Sequence, residues 1–113
     1  MRQLPEWRWP PRVIGEIKKA KLTMDEATRL TDLMNRFRSD GTFPKDHKRL
    51  RDGVEELRLS GDRRDFRLYF GRVENDLVLL MLHFKAKKKN NDSDAIDLAS
   101  HRLKRWRNHP DEI

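Results

Sequence analysis

The sequence predicts an α+β domain: an N-terminal helical pair packed on a small antiparallel sheet of three or four strands, with a C-terminal helix. Three observations predict it. Residues 55–89 read as three consecutive short strands broken by turn residues. Residues 23–37 carry apolar residues three and four apart behind a capping signature. Residues from Asp92 or Ser93 to about Arg107 repeat the helical spacing, with acids early and bases late.

The elements follow in chain order. Residues 1–11 hold Trp7, Trp9 and three prolines, which suit neither a helix nor a central strand. The two indoles are expected to pack this arm on the body, with base stacking as the functional alternative. Val13, Ile14 and Ile17 predict a short helix over 12–21. Thr23 and Glu26 form a T-x-x-E capping box ahead of Met24, Ala27, Leu30, Leu33, Met34 and Phe37, a stripe expected to lie in the core; Gly41 ends that helix. Residues 46–53 are expected to be a connector, and its HKRLR a basic surface patch.

In the first strand Leu57 and Leu59 alternate with Glu56 and Arg58; in the second Phe66, Leu68 and Phe70 alternate with Arg67 and Tyr69. The third, Leu77 to Phe84, is apolar on both faces, as a strand in mid-sheet would be. Gly61-Asp62 and Glu74-Asn75-Asp76 stand where tight turns belong. Ile96, Ala99, Leu103 and Trp106 are the expected buried side of the last helix, whose Arg102, Lys104, Arg105 and Arg107 complement the helix dipole and serve solubility. All three helices are expected on one face of the sheet, within a single domain over 1–113 whose residues 108–113 fray.

Composition narrows the function classes. The chain has 26 Lys+Arg against 19 Asp+Glu, a net charge of +7. An excess of positive charge attracts polyanions, nucleic acid first among them. With no cysteine, disulfides, thiolate catalysis and cysteine zinc sites are excluded. His47, His83, His101 and His109 lack metal-ligand spacing, so no metal or other cofactor is expected. No apolar run reaches the roughly 20 residues of a membrane span. The start, MRQLPEWRWPPR, has no apolar core of signal-peptide type, which makes a cytoplasmic protein the expectation.

The chemistry-bearing residues converge on the strands. Arg58 and Arg67 lie on their polar positions and Lys85, Lys87, Lys88 and Lys89 where the last strand runs out. Guanidinium groups bind phosphate bidentately and stay charged. A salt bridge from Arg67 to Glu56 or Asp65 is the structural alternative to phosphate contact. His83, at the end of the apolar strand, is either a general acid or base or a hydrogen-bonded core residue. Lys48, Arg49, Arg51, Arg63 and Arg64 are candidate phosphate contacts, and Tyr69 a candidate to stack on a base or donate a proton.

Four pieces occur in a fixed order: D-G-V-E-E-L-R at 52–58, R-L-Y-F at 67–70, the apolar strand L-V-L-L-M-L at 77–82 followed by Phe84 and lysines, and A-I-D-L-A at 95–99. In this the chain resembles the RelE superfamily of toxins from bacterial toxin–antitoxin modules, and within it the phage-derived HigB-like branch, over roughly residues 45–107. Ala86 and Lys87 stand where relatives carry a lysine pair, and no proline precedes the last helix. The resemblance implies a metal-independent mRNA interferase that cuts mRNA on the ribosome and is held inactive by a cognate antitoxin, expected to be of helix-turn-helix type. Its catalytic residues would be Arg58, Arg67, Lys85, Lys87 and His83. The reaction is attack of a ribose 2′-OH on the adjacent phosphate, releasing a 5′-OH; a lysine crowded by cations can serve as the base. Two other readings stay open: a ParE-like toxin acting on DNA gyrase, and a non-enzymatic basic module binding RNA or the ribosome.

Overall fold

The computed structural model describes residues 4–39, 41–42, 44–60, 64–85 and 93–109. In chain order the described elements are β1 (Glu6–Arg8), α1 (Pro11–Ala20), α2 (Met24–Arg38), a 3-10 turn (Pro44–Asp46), β2 (His47–Arg49), β3 (Glu55–Ser60), β4 (Asp65–Val73), β5 (Asp76–Lys85) and α3 (Ser93–Asn108). The strands form one sheet in the order β1-β5-β4-β3-β2. β2 to β5 pair antiparallel, and β1 pairs parallel with the start of β5, Trp7 opposite Leu77. The architecture is thus α+β as expected, but the sheet is mixed and has five strands among the described residues.

Both additional strands come from segments that carry no alternation. β1 lies in the Trp/Pro-rich arm, fixed by the Trp7 indole N–H, which donates to Met34 O at 2.9 Å, and by edge-on packing of the ring against Phe70. Proline flanks this edge strand and stays outside it, so no ladder donor is missing. β2 is the basic His47-Lys48-Arg49 of the expected connector; its residues stand opposite Leu57, Glu56 and Glu55. Opposite charges across an antiparallel pair favour this register. The return to β3 runs through Asp52 (φ 58°) and Gly53 (φ 80°), where glycine accepts the left-handed backbone at no steric cost.

The helices cover both faces of the sheet, which corrects the one-face expectation. Val13, Leu30, Leu33 and Met34 from α1 and α2 pack on Leu57, Phe66, Leu68, Phe70, Leu77 and Leu79. Ala95, Ala99 and Leu103 from α3 pack on Tyr69, Val78 and Leu80, with Val54 beside them. A strand apolar on both sides needs cover on both sides, and β5 receives it. Gly71 permits the close approach of α3: a Cβ there would lie 2.6 Å from Leu103 Cδ1. Between Tyr69 and Phe70 the β4–β5 register slips, so that both Leu80 and Met81 join the α3 side.

The capping box of α2 is present: Thr23 Oγ1 accepts from Glu26 N at 3.0 Å and Glu26 Oε1 accepts from Thr23 N at 2.9 Å. The expected stripe fails at its first turn, where Met24 is 84% exposed and Ala27 is exposed. Glu26 is buried instead, its carboxylate taken by Arg64. Two residues are about 200° apart on a helix, so an inward Glu26 leaves Met24 outside. Arg102, expected at the surface, is buried too. It donates to Leu80 O at 2.9 Å and pairs with Glu16, tying α3 to α1 past the edge of β5.

Candidate nucleic-acid interface

Strand alternation divides the sheet's polar residues between its faces. On the α3 face the register aligns Arg58 with Arg67 and Arg67 with His83 in one cross-strand row. The adjacent row is Lys48, Glu56, Tyr69 and Met81. Three sequence-predicted residues, Arg58, Arg67 and His83, are therefore direct neighbours on β3, β4 and β5, and Lys48 lies one row away.

Glu56 organises this cluster. Its Oε1 accepts from Arg58 Nε at 2.8 Å and from Arg67 Nη1 at 2.5 Å, so one carboxylate oxygen holds two guanidinium groups together. The Glu56 side chain is 4% exposed, Arg67 16% and Arg58 44%, which grades the cluster from a buried anchor to an open cation. The salt bridge weighed for Arg67 is thus present. It uses one of the five N–H donors of each guanidinium, and Glu56 is the hydrogen-bond partner of both among the described residues. Lys48 stands opposite Glu56 in the adjacent row, so three basic side chains share this side of the sheet with that carboxylate. Sequence reasoning named Glu56 as a partner of Arg67 but missed its sharing with Arg58. The signal was the i, i+2 spacing of Glu56 and Arg58, which places both on one side of a strand.

His83 is partly buried, and the Tyr69 ring stacks on it at 5.9 Å between centroids and 19° between planes. Tyr69 itself is fully buried in the α3 core. It offers no face to a nucleobase, which corrects the stacking expectation; its ring supports the imidazole. Of the two tryptophans, Trp7 packs into the body as expected, whereas Trp9 remains 42% exposed.

The other candidates are dispersed. Arg64 is held in a structural clamp: it bonds both Glu26 oxygens and Ala20 O, and its guanidinium lies 4.1 Å over the Phe84 ring. Arg51 is held at the start of α3 by Asp97 and Ser93 O, and also pairs with Asp52. Arg49 is exposed opposite Glu55, whose side is the other face of the sheet. There the buried Glu55 carboxylate accepts from Arg72 Nε at 2.7 Å and meets His47 Nε2 at 2.8 Å. Burial pushes the Glu55 carboxyl up, but the bonds from Arg72 and His47 prevail and hold it below its ordinary value. Lys85 ends β5 opposite Asp65. Arg63, Lys87, Lys88 and Lys89, and the turn expected at Gly61-Asp62, lie outside the described residues.

No cluster of three His, Asp or Glu side chains able to hold a metal occurs among the described residues. Among them no helix is long and apolar enough to cross a membrane. No family model matches the chain, and no curated protein matches its sequence.

Proposed function

We propose that this protein is a RelE/HigB-like toxin, a metal-independent ribonuclease that cuts mRNA at the Arg58–Arg67–His83 row. The observation that carries the reading is the shared Glu56 bracket, which holds two arginines side by side beside a histidine, the outer arginine 44% exposed. Preorganised cations lower the cost of a crowded phosphorane because they need no reorganisation when charge develops. Arg58 and Arg67 bind the scissile phosphate, Lys48 a flanking one, and His83 exchanges a proton with the reacting oxygens. The 2′-oxygen forms a new bond to phosphorus, its proton passes to the base, and the bond to the 5′-oxygen breaks as that oxygen gains a proton. The products are a 2′,3′-cyclic phosphate and a 5′-OH end. The cationic row also suits an acidic segment of a cognate antitoxin, which would compete with RNA for it.

The test is induced expression in bacteria with mapping of mRNA 5′ ends, for the wild type, Arg58→Ala and His83→Ala. The expected result is growth arrest with new 5′-OH ends inside coding regions, lost in both variants. Arrest with intact mRNA would transfer the protein to the gyrase-directed reading. Soluble protein without arrest would make it a binding module.

A further inference from the structure

The outward side of α2 carries a second feature, whose charged flank (Arg29, Asp32 and Arg36) lines a cleft of about 440 Å³ together with Arg58, Leu59 and Ser60 of β3. In a chain of 40% charged residues, Met24, Ala27, Thr28, Thr31 and Asn35 form an uncharged strip along this helix. At 3.6 residues per turn these positions fall on one side. At its N-terminal end Met24 protrudes, 84% exposed. About 16 Å further along, the strip enters a notch of about 200 Å³ lined by Trp7, Trp9, Thr31, Met34 and Asn35 and by the Glu6–Arg38 ion pair. The Thr31 hydroxyl between them is satisfied within the helix, donating to Ala27 O at 2.9 Å. A flexible thioether chain is suited to the irregular wall that Trp7 and Trp9 give this notch beside its polar rim.

Beside the strip runs a row of alternating charge, Asp25, Arg29, Asp32 and Arg36, ion-paired along the helix at 2.9 Å (Arg29–Asp25) and 3.0 Å (Arg36–Asp32), with Arg29 also donating to Ser60 O at 3.0 Å. Read in the opposite direction this row inverts its signs: Asp25 faces Arg36 and Arg29 faces Asp32. Knob and notch exchange ends in the same reversal. A two-fold axis across a pair of antiparallel helices sets equal flanks side by side, so a surface complementary to its own reversal fits a second copy of itself.

We propose that α2 is a self-association surface, on which two copies pack antiparallel with Met24 of each seated in the notch of the other. The Asp25/Arg29/Asp32/Arg36 rows pair across the same contact. One helix per copy is a small interface and each copy carries +7, so the dimer is weak and needs enough salt to screen the long-range repulsion. Arg58 shares a cleft with Arg29, Asp32 and Arg36, so the dimer borders the Arg58 end of the row, while Arg67 and His83 lie farther along it on β4 and β5.

Sedimentation equilibrium from about 10 μM to about 1 mM, a range suited to weak interfaces, tests this. The wild type is expected to rise from 13.6 kDa toward twice that mass, and Met24→Asp to remain monomeric. Asp25→Arg/Asp32→Arg and Arg29→Asp/Arg36→Asp should each be monomeric alone and associate when mixed, with circular dichroism showing both folded. A wild type monomeric throughout would overturn the proposal. So would charge variants that self-associate like the wild type, or a mixture that fails to pair.

Discussion

At the scale of single residues, the two arginines of the row differ in what they support. Arg67 is mostly buried and meets a carboxylate that is 4% exposed, so Arg67→Ala removes one of two partners from a buried charge. A loss of about 1–3 kcal/mol in denaturant unfolding is expected. Arg58 is 44% exposed, and Arg58→Ala should cost less than about 1 kcal/mol. Arg58 is therefore the cleaner functional probe, and Arg67→Gln, which keeps a donor for Glu56, the cleaner change at its neighbour. Glu26 gives a pH-dependent prediction. The Arg64 hydrogen bond first, and the Thr23 backbone N–H next, lower its carboxyl from 4.5 to about 2. A carboxyl lowered in the folded state contributes stability that is fully present above its unfolded value of 4.5 and is lost as pH falls through about 2. The melting temperature should fall across that window, and Glu26→Gln should flatten the fall. The strand positions of Arg58 and Arg67 were legible from alternation alone. The fates of Arg64 and Arg102 were not, because a cation's partner lies far away in sequence: 38 residues for Arg64–Glu26 and 86 for Arg102–Glu16.

At the scale of elements, long periodic segments were legible and three-residue strands were not. α2 begins at the capping box the sequence announces, and Thr23→Ala should cost about 1 kcal/mol by removing that cap. β3 and β4 follow their alternation, and β5 its apolar run, which is buried on both faces. β1 and β2 exist through pairing with neighbours, a tertiary effect that three residues cannot encode in their own pattern. The side taken by α3 was half-legible: β5 is apolar on both faces, and Gly71 on β4 marks where a helix comes close. Gly71→Ala drives a Cβ into Leu103 and should destabilise by about 1–3 kcal/mol, read as a lower unfolding midpoint. Arg102 bonds an edge carbonyl of β5, so Arg102→Met should cost about 1–3 kcal/mol although it adds apolar surface.

At the scale of the whole molecule, the sheet divides its labour by face. One face is closed by α1 and α2. The other is closed by α3 over Tyr69, Val78 and Leu80 and carries the Arg58–Arg67–His83 row beyond it. The basic composition made a polyanion the expected partner, and the register now gathers a few of many cations into one place. On the proposed function this row grips RNA phosphates. Anisotropy of a labelled single-stranded RNA, titrated with purified protein across a salt series, tests it most directly. Each phosphate contact contributes about −0.7 to the slope of log K against log salt, so Arg58→Ala/Arg67→Gln should bind more weakly with a slope shallower by about 1.4. A folded double variant that keeps wild-type affinity and slope would contradict the account.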